Sequence, residues 1–180
     1  MCRRAGVPLC GRPNCPSAKR PYPPGMHGRG RKRISEYQVR LLEKQKLRHI
    51  YGVGERQMRA YYDRASRKSG VTGEELIRQL ETRLDAVILR LGFALTQRQA
   101  RQLVGHGHVR VNGTRVNVSS YQVQPGDVIT IRESPRSKQL ALRALDLTQA
   151  AVLPSWVTFD KDKLTGTVSR VPTKDEISPI

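Results

Sequence analysis

The sequence predicts an α+β protein in which a helical stretch leads into a small unit of two to three helices packed on an antiparallel sheet. Three observations carry this expectation. From residue 35 to residue 105 the apolar residues recur at helical spacing, interrupted by Gly52, Gly70 and Gly92. From His108 the period drops to two, with Val109 and Val111 separated from Val116 and Val118 by Asn112-Gly113, a turn pair suited to a two-residue hairpin. A second short alternation follows, in which Val123, the Pro125-Gly126 turn, Ile129 and Ile131 supply a further pair of strands.

Residues 1–34 hold Cys2, Cys10 and Cys15, six prolines and no apolar periodicity, so they have no core of their own. The four residues between Cys10 and Cys15 are turn formers that could fold two thiolates onto one metal. Three cysteines make an incomplete tetrahedral zinc site, and reduced free thiols are the alternative. Residues 20–33 are extended by prolines and loosened by glycines. Five cations there, Arg20, Arg29, Arg31, Lys32 and Arg33, suit a strand laid along a phosphate backbone, and Tyr22 and His27 could stack on bases. A nuclear-localisation signal is the rival reading of this basic run.

Ser35 caps a helix that runs to Tyr51 and stops at Gly52. Val39, Leu42, Leu47 and Ile50 form its apolar side, leaving Arg40, Lys44, Lys46 and Arg48 to solvent or phosphate. The next helix carries Met58, Tyr61, Tyr62 and Ala65 at core spacing, so both tyrosines are expected inside, while Arg56 and Arg59 join the candidate RNA contacts. Thr72 and Glu75 have capping-box spacing, and Leu76, Ile77 and Leu80 run on into Leu84 and Val87. A domain border is therefore expected near Glu81 with no flexible linker.

Leu84, Val87, Ile88 and Leu91 form the first helix of the central unit, and Gly92 ends it. Thr96 and Gln99 open a second, capped helix that turns Ala100, Leu103 and Val104 inward and Arg98 and Arg101 outward. Past its end, His106 and His108 flank Gly107, and Arg115 follows the hairpin turn. Together these residues predict a continuous basic ridge from helix to hairpin. Beyond residue 134, Leu140, Leu142, Leu145 and Leu147 mark a short helix, Trp156 and Phe159 a strand, and residues 167–171 another.

The charge narrows the function. With 33 Lys and Arg against 15 Asp and Glu, the chain carries +18, which points to a polyanion partner. Residues 1–70 contribute +14 of it, from 18 basic and 4 acidic side chains. A membrane surface is disfavoured as that partner, because the basic block lacks an apolar helix face with aromatic anchors. Neither a transmembrane run nor a signal peptide is visible, which implies the cytoplasm or an organelle with its own ribosomes. No nucleophile, base and carboxylate converge in the pattern, and no phosphate-cradling glycine motif occurs, so an enzyme is not expected.

The run R-L-D at residue 83, the arginine-rich capped helix, G-H-V-R-V-N-G at residue 107 and Y-Q-V-Q-P-G-D at residue 121 resemble the RNA-binding domain named after small-subunit ribosomal protein four. That domain also occurs in some aminoacyl-tRNA synthetases and rRNA pseudouridine synthases. The flanks R-P-Y-P-P-G-M-H-G, E-K-Q-K-L-R, Y-G-V-G-E-R-Q-M-R and V-T-G-E-E-L are similar to the ribosomal family itself, of the bacterial or organellar type. The likeness is continuous over residues 2–132.

The resemblance implies a helical first domain, residues 35–81 completed by 147–180, with the module 82–146 inserted and residues 1–34 as an N-terminal extension. It implies a structural role in the small ribosomal subunit, in which the protein binds small-subunit rRNA early in assembly at a five-helix junction. Contacts with ribosomal proteins three and five, a place at the mRNA entry channel and an influence on decoding accuracy are implied as well. Many members of the family carry four cysteines, C-x-x-C then C-x-x-x-x-C, and Cys2, Cys10 and Cys15 match the last three. His27 or a water is the candidate substitute for the missing zinc ligand. A free-standing RNA regulator or chaperone, and an RNA-binding fragment of an rRNA-modifying enzyme, are the alternatives.

Overall fold

A computed structural model describes residues 1–12, 14–30, 33–148, 153–173 and 176–177. The chain divides into two compact units, Met1–Met58 and the residues from Arg59 on.

The first unit contains two short helices, α1 (Cys2–Ala5) and α2 (Pro16–Lys19), followed by α3 (Glu36–Ile50). Neither short helix is visible as periodicity in the sequence. Helix α3 starts where its cap predicts, since Ser35 Oγ accepts a hydrogen bond from the Gln38 N–H at 3.3 Å. Its apolar side is only half-covered. Leu41, Leu42, Leu47 and Ile50 are partly exposed and Val39 is exposed, whereas Tyr51, Val53 and Met58 just beyond are buried.

Helix α4 (Glu55–Ser66) carries the chain from the first unit into the second. The second unit then holds α5 (Thr72–Glu81), α6 (Leu84–Arg90), α7 (Gln97–Gly105), β1 (Val109–Val111), β2 (Thr114–Arg115), β3 (Val128–Ile131), α8 (Pro135–Thr148), β4 (Val157–Asp160) and β5 (Thr165–Val168). The strands form one antiparallel sheet in the order β2-β1-β3-β5-β4. Alternation sorts its faces: Val109, Val111, Ile129 and Ile131 point inward onto Leu84, Val87, Ile88 and Leu91 of the α6 segment and Leu103 and Val104 of α7.

The turn at Asn112-Gly113 forms as expected, with φ of 50° and 79°. Asn112 then does a second job. Its amide donates to Asp127 Oδ1 at 2.8 Å and accepts from the Val128 N–H at 2.9 Å, while Asp127 Oδ2 takes the Gln124 N–H. The hairpin turn and the Pro125-Gly126 turn are thereby locked together. Two features depart from the expected sheet: β2 ends at Arg115, leaving Val118 exposed, and Val123 precedes β3 outside a strand. Val123 is buried instead through its N–H bond to Thr82 O at 2.8 Å.

Residues 147–180 were expected to return to the helical first domain. Strands β4 and β5 pair with the central sheet here, through β5 against β3. The reason lies in packing: Gly166 has no side chain, so β5 approaches Leu91 closely enough that a Cβ would sit 2.4 Å from its Cδ2, and Phe159 meets Phe93 edge-on at 5.3 Å. Trp156 is 1% exposed in the same core. Helix α8 buries Ala141, Ala144 and Ser137, and two of the leucines that mark it, Leu142 and Leu147, face outward.

Two local expectations in the helices were misplaced. Tyr61 is buried, but Tyr62 is 55% exposed, because the helix turns only a narrow stripe inward. Thr72 lies inside α5, whose N-cap is Val71, so Glu75 makes no capping box. It binds Lys68 at 2.5 Å and Arg78 at 2.8 Å instead. Between α5 and α6 sits an ionic knot. Arg83 and Asp85 are both fully buried and joined by two bonds of 2.9 and 2.5 Å, and Arg83 also donates to Tyr61 Oη at 2.8 Å.

Candidate nucleic-acid interface

In the first unit Cys2, Cys10 and Cys15 come together, with their sulfur atoms all within 4.8 Å of one another. Helix α1 presents Cys2, and Cys15 is the N-cap position of α2. Thiolate chemistry fits the group. Cys15 is lowered to about 7, first by the Ser17 hydroxyl 3.0 Å from its sulfur and then by the Ser17 backbone N–H, while burial pushes the Cys2 thiol up. Sulfurs bound to one tetrahedral zinc lie roughly 3.8 Å apart at a Zn–S distance of about 2.3 Å, so the cluster needs little contraction to hold a metal. His27 is exposed and is not part of it, and among the described residues no carboxylate or histidine joins.

The same unit organises part of the predicted basic strand. Arg3 and Arg29 both lie against the Tyr22 ring, with guanidinium carbons 4.9 and 4.6 Å from its centre, and Arg3 donates to Tyr22 O at 3.0 Å. Tyr22 therefore already carries two cations, and a stacking base would have to displace one. Arg3 was not singled out in the sequence, and no local signal marks it. Arg20, Arg33, Arg56 and His27 are exposed. Arg31 and Lys32 lie outside the described residues.

The cations of α3 are less free than their spacing suggested. Glu55 takes Lys44 and also Arg48, the latter at 2.5 Å, and the two bonds hold its carboxyl below the usual range. Lys46 binds Glu43 at 2.7 Å and Arg40 reaches Glu36 at 3.4 Å. All four pairs are at the surface, where ion pairs are weak, so a phosphate could exchange for the carboxylate at small cost.

In the second unit α7 places its arginines as predicted. Thr96 Oγ1 caps the Gln99 N–H at 3.3 Å, Gln99 Oε1 reaches back to the Leu95 N–H at 3.0 Å, and Ala100, Leu103 and Val104 are buried. Arg98 and Arg101 are consequently exposed on the other face. Burial pushes the Asp85 carboxyl up, and Arg83 and, farther off, Arg101 pull it back, so Arg101 also feels the interior. Arg59 is exposed on α4.

The structure brings His106, His108 and Arg115 together. Gly107 takes φ of 70° to end α7, and the Arg115 side chain lies over it, its Nε 2.1 Å from where a Cβ would stand. The two imidazoles are 6.1 Å apart. Burial first, then His106, Arg136, Arg132 and Arg115, hold His108 below its ordinary value. Arg132 and Arg136, which lie past β3, and Arg110, between the two valines of β1, were not singled out in the sequence. The two-residue turn does put Arg110 opposite Arg115, a signal that could have found it.

Two helices on a small antiparallel sheet, edged by a run of arginines and histidines, define an RNA-binding protein. The comparisons agree. The family described as Ribosomal protein S4/S9 N-terminal domain matches residues 1–81, and the S4 domain matches residues 82–129. Small ribosomal subunit protein uS4 of Akkermansia muciniphila is 54% identical over 99% of this chain and 88% of its own length. The uS4 proteins of Pelotomaculum thermopropionicum and Thermus thermophilus are 49% and 46% identical, over 98% and 99% of this chain and 88% of their own lengths. The chain belongs to the uS4 family of small ribosomal subunit proteins.

Proposed function

We propose that this chain is a structural constituent of the small ribosomal subunit that binds rRNA at a junction of several RNA helices and so nucleates assembly. It sits on the ribosome in the cytoplasm and is not an enzyme, in keeping with its family. The observation that carries the RNA-binding part is the open basic ridge from Arg98 on α7 through His106, His108 and Arg115, in which Arg98 and Arg115 form no ion pair among the described residues. Lysines and arginines there, in the first unit (Arg20, Arg29, Arg33, Arg40, Lys44, Lys46, Arg48 and Arg56 among them) and at Arg59 on α4 neutralise crowded phosphates and hold the RNA helices in one orientation. Residues 1–34 act as an extension that follows the RNA, 35–81 as the main rRNA-binding helices and 82–146 as the second RNA-binding module.

Zinc held by Cys2, Cys10 and Cys15 would cross-link the extension, whose described helices are only four residues long. Contacts with ribosomal proteins three and five, a place near the mRNA entry channel and an effect on decoding accuracy complete the reading, and rest on the family resemblance. The test is co-sedimentation with ribosomal subunits after a high-salt wash. A stoichiometric subunit component stays with the small subunit. Loss in the wash returns the chain to a free-standing RNA regulator or chaperone, or to the binding fragment of an rRNA-modifying enzyme.

A further inference from the structure

The outward face of the sheet, at the end nearest α8, collects cations that nothing in the described structure neutralises. Residues paired across antiparallel strands share a face, so Arg110 stands beside Arg115 and beside Thr130. One step along the same ladder, the Arg132 N–H bonds His108 O at 2.8 Å, which puts the Arg132 and His108 side chains on that face too. Arg136, on the first turn of α8, is near enough to act on His108 electrostatically, as are Arg132 and Arg115. No ion pair is formed by Arg110, Arg115, Arg132 or Arg136 among the described residues, and no carboxylate is among the main charges acting on His108. Like charges placed directly across strands repel one another, so folding alone gives no reason for this arrangement.

The corner is also held in place. His108 Nδ1 meets Ser137 Oγ at 2.8 Å, and Ser137, which is fully buried, is bonded in turn to Ser134 Oγ at 2.6 Å. That contact fixes the imidazole and leaves Nε2 as its free nitrogen. Because Gly107 has no side chain, the Arg115 guanidinium can lie flat against the chain between the two histidines.

We propose that His108 Nε2, Arg115, Arg132 and Arg136 together hold a backbone phosphate of RNA, a contact separate from the Arg98 face of α7. This rests on the RNA-binding reading above and extends it to residues past β3. Guanidinium forks match phosphate oxygens in pairs, and an imidazole held at one nitrogen offers a single directed donor, a set suited to a tetrahedral oxyanion. Continuity with the α7 ridge favours RNA over an acidic protein segment, since one polyanion can then cross both.

The test uses the full-length protein and small-subunit rRNA. Arg132→Gln combined with Arg136→Gln should weaken binding at least tenfold and lower the log–log salt slope by about one, since the four groups share one phosphate and each phosphate contact contributes roughly one. Arg98→Glu is measured beside it. Normal affinity in the Arg132/Arg136 variant, with loss in Arg98→Glu, would overturn the proposed contact and leave the RNA-binding reading standing. No loss in either variant would count against both. If the Arg132/Arg136 variant lost binding of a polyglutamate peptide but kept RNA, the partner would be an acidic protein and the proposal would fail. Should that variant misfold, the wild-type His108 ring resonances decide: RNA should shift them and raise the imidazole's midpoint, and unmoved resonances in the bound complex would refute the contact.

Discussion

Replacing Asp85 by Asn keeps the side-chain volume and removes one charge from the ionic knot between α5 and α6. Arg83 is then left fully buried with its Nε and Nη2 facing an amide in place of a carboxylate that now accepts at 2.9 and 2.5 Å. Breaking one side of a buried ion pair costs about 3–5 kcal/mol, because the stranded guanidinium cannot regain water. The second unit has about 120 residues, and at about 2.1 cal/mol/K per residue its unfolding entropy is about 0.25 kcal/mol/K. The expected fall in Tm is therefore about 12–20 °C. Removing only the Tyr61 hydroxyl with Tyr61→Phe deletes one bond to the same cation, for about 1.5–3 kcal/mol. Urea titration and thermal melting followed by circular dichroism give both numbers. A loss under about 1 kcal/mol for Asp85→Asn, or a larger loss for Tyr61→Phe than for Asp85→Asn, would refute the view that the carboxylate is what makes a buried Arg83 tolerable.

Gly166→Ala should destabilise the second unit by about 1–3 kcal/mol in the same melts, since its Cβ would meet Leu91 at 2.4 Å in a packed core; an unchanged midpoint would mean that β5 is not packed against Leu91. The imidazole of His108 is held below its ordinary value near 6.5, so as pH falls through 6.5 the unfolded chain takes up a proton that the folded one resists. Stability should decline on that acid side, and a His108→Asn variant should show less of the decline in denaturation series between pH 5 and 8. Protein purified without chelator should carry one zinc per chain, with Cys2, Cys10 and Cys15 protected from thiol reagents until the metal is stripped; metal analysis finding none, with three thiols titrating freely, would reject the site.

The parts legible in the chain were those whose cause lies within a few residues. The cap from Thr96, the opposed faces of α7 and the Asn112-Gly113 turn follow from local hydrogen bonds, from 3.6-residue geometry and from the backbone freedom of a turn, so all three appear where the pattern placed them. Charge was equally plain, because composition does not depend on folding. Partnership across the chain was not legible. Glu55 takes up Lys44 and Arg48, Arg3 reaches Tyr22, Ser137 orients His108 from 29 residues away, and β5 joins β3 through a glycine that makes room for Leu91. Each of these depends on which surfaces meet once the apolar faces are buried. That choice is made by packing the whole core at once, and no window of neighbouring residues contains it.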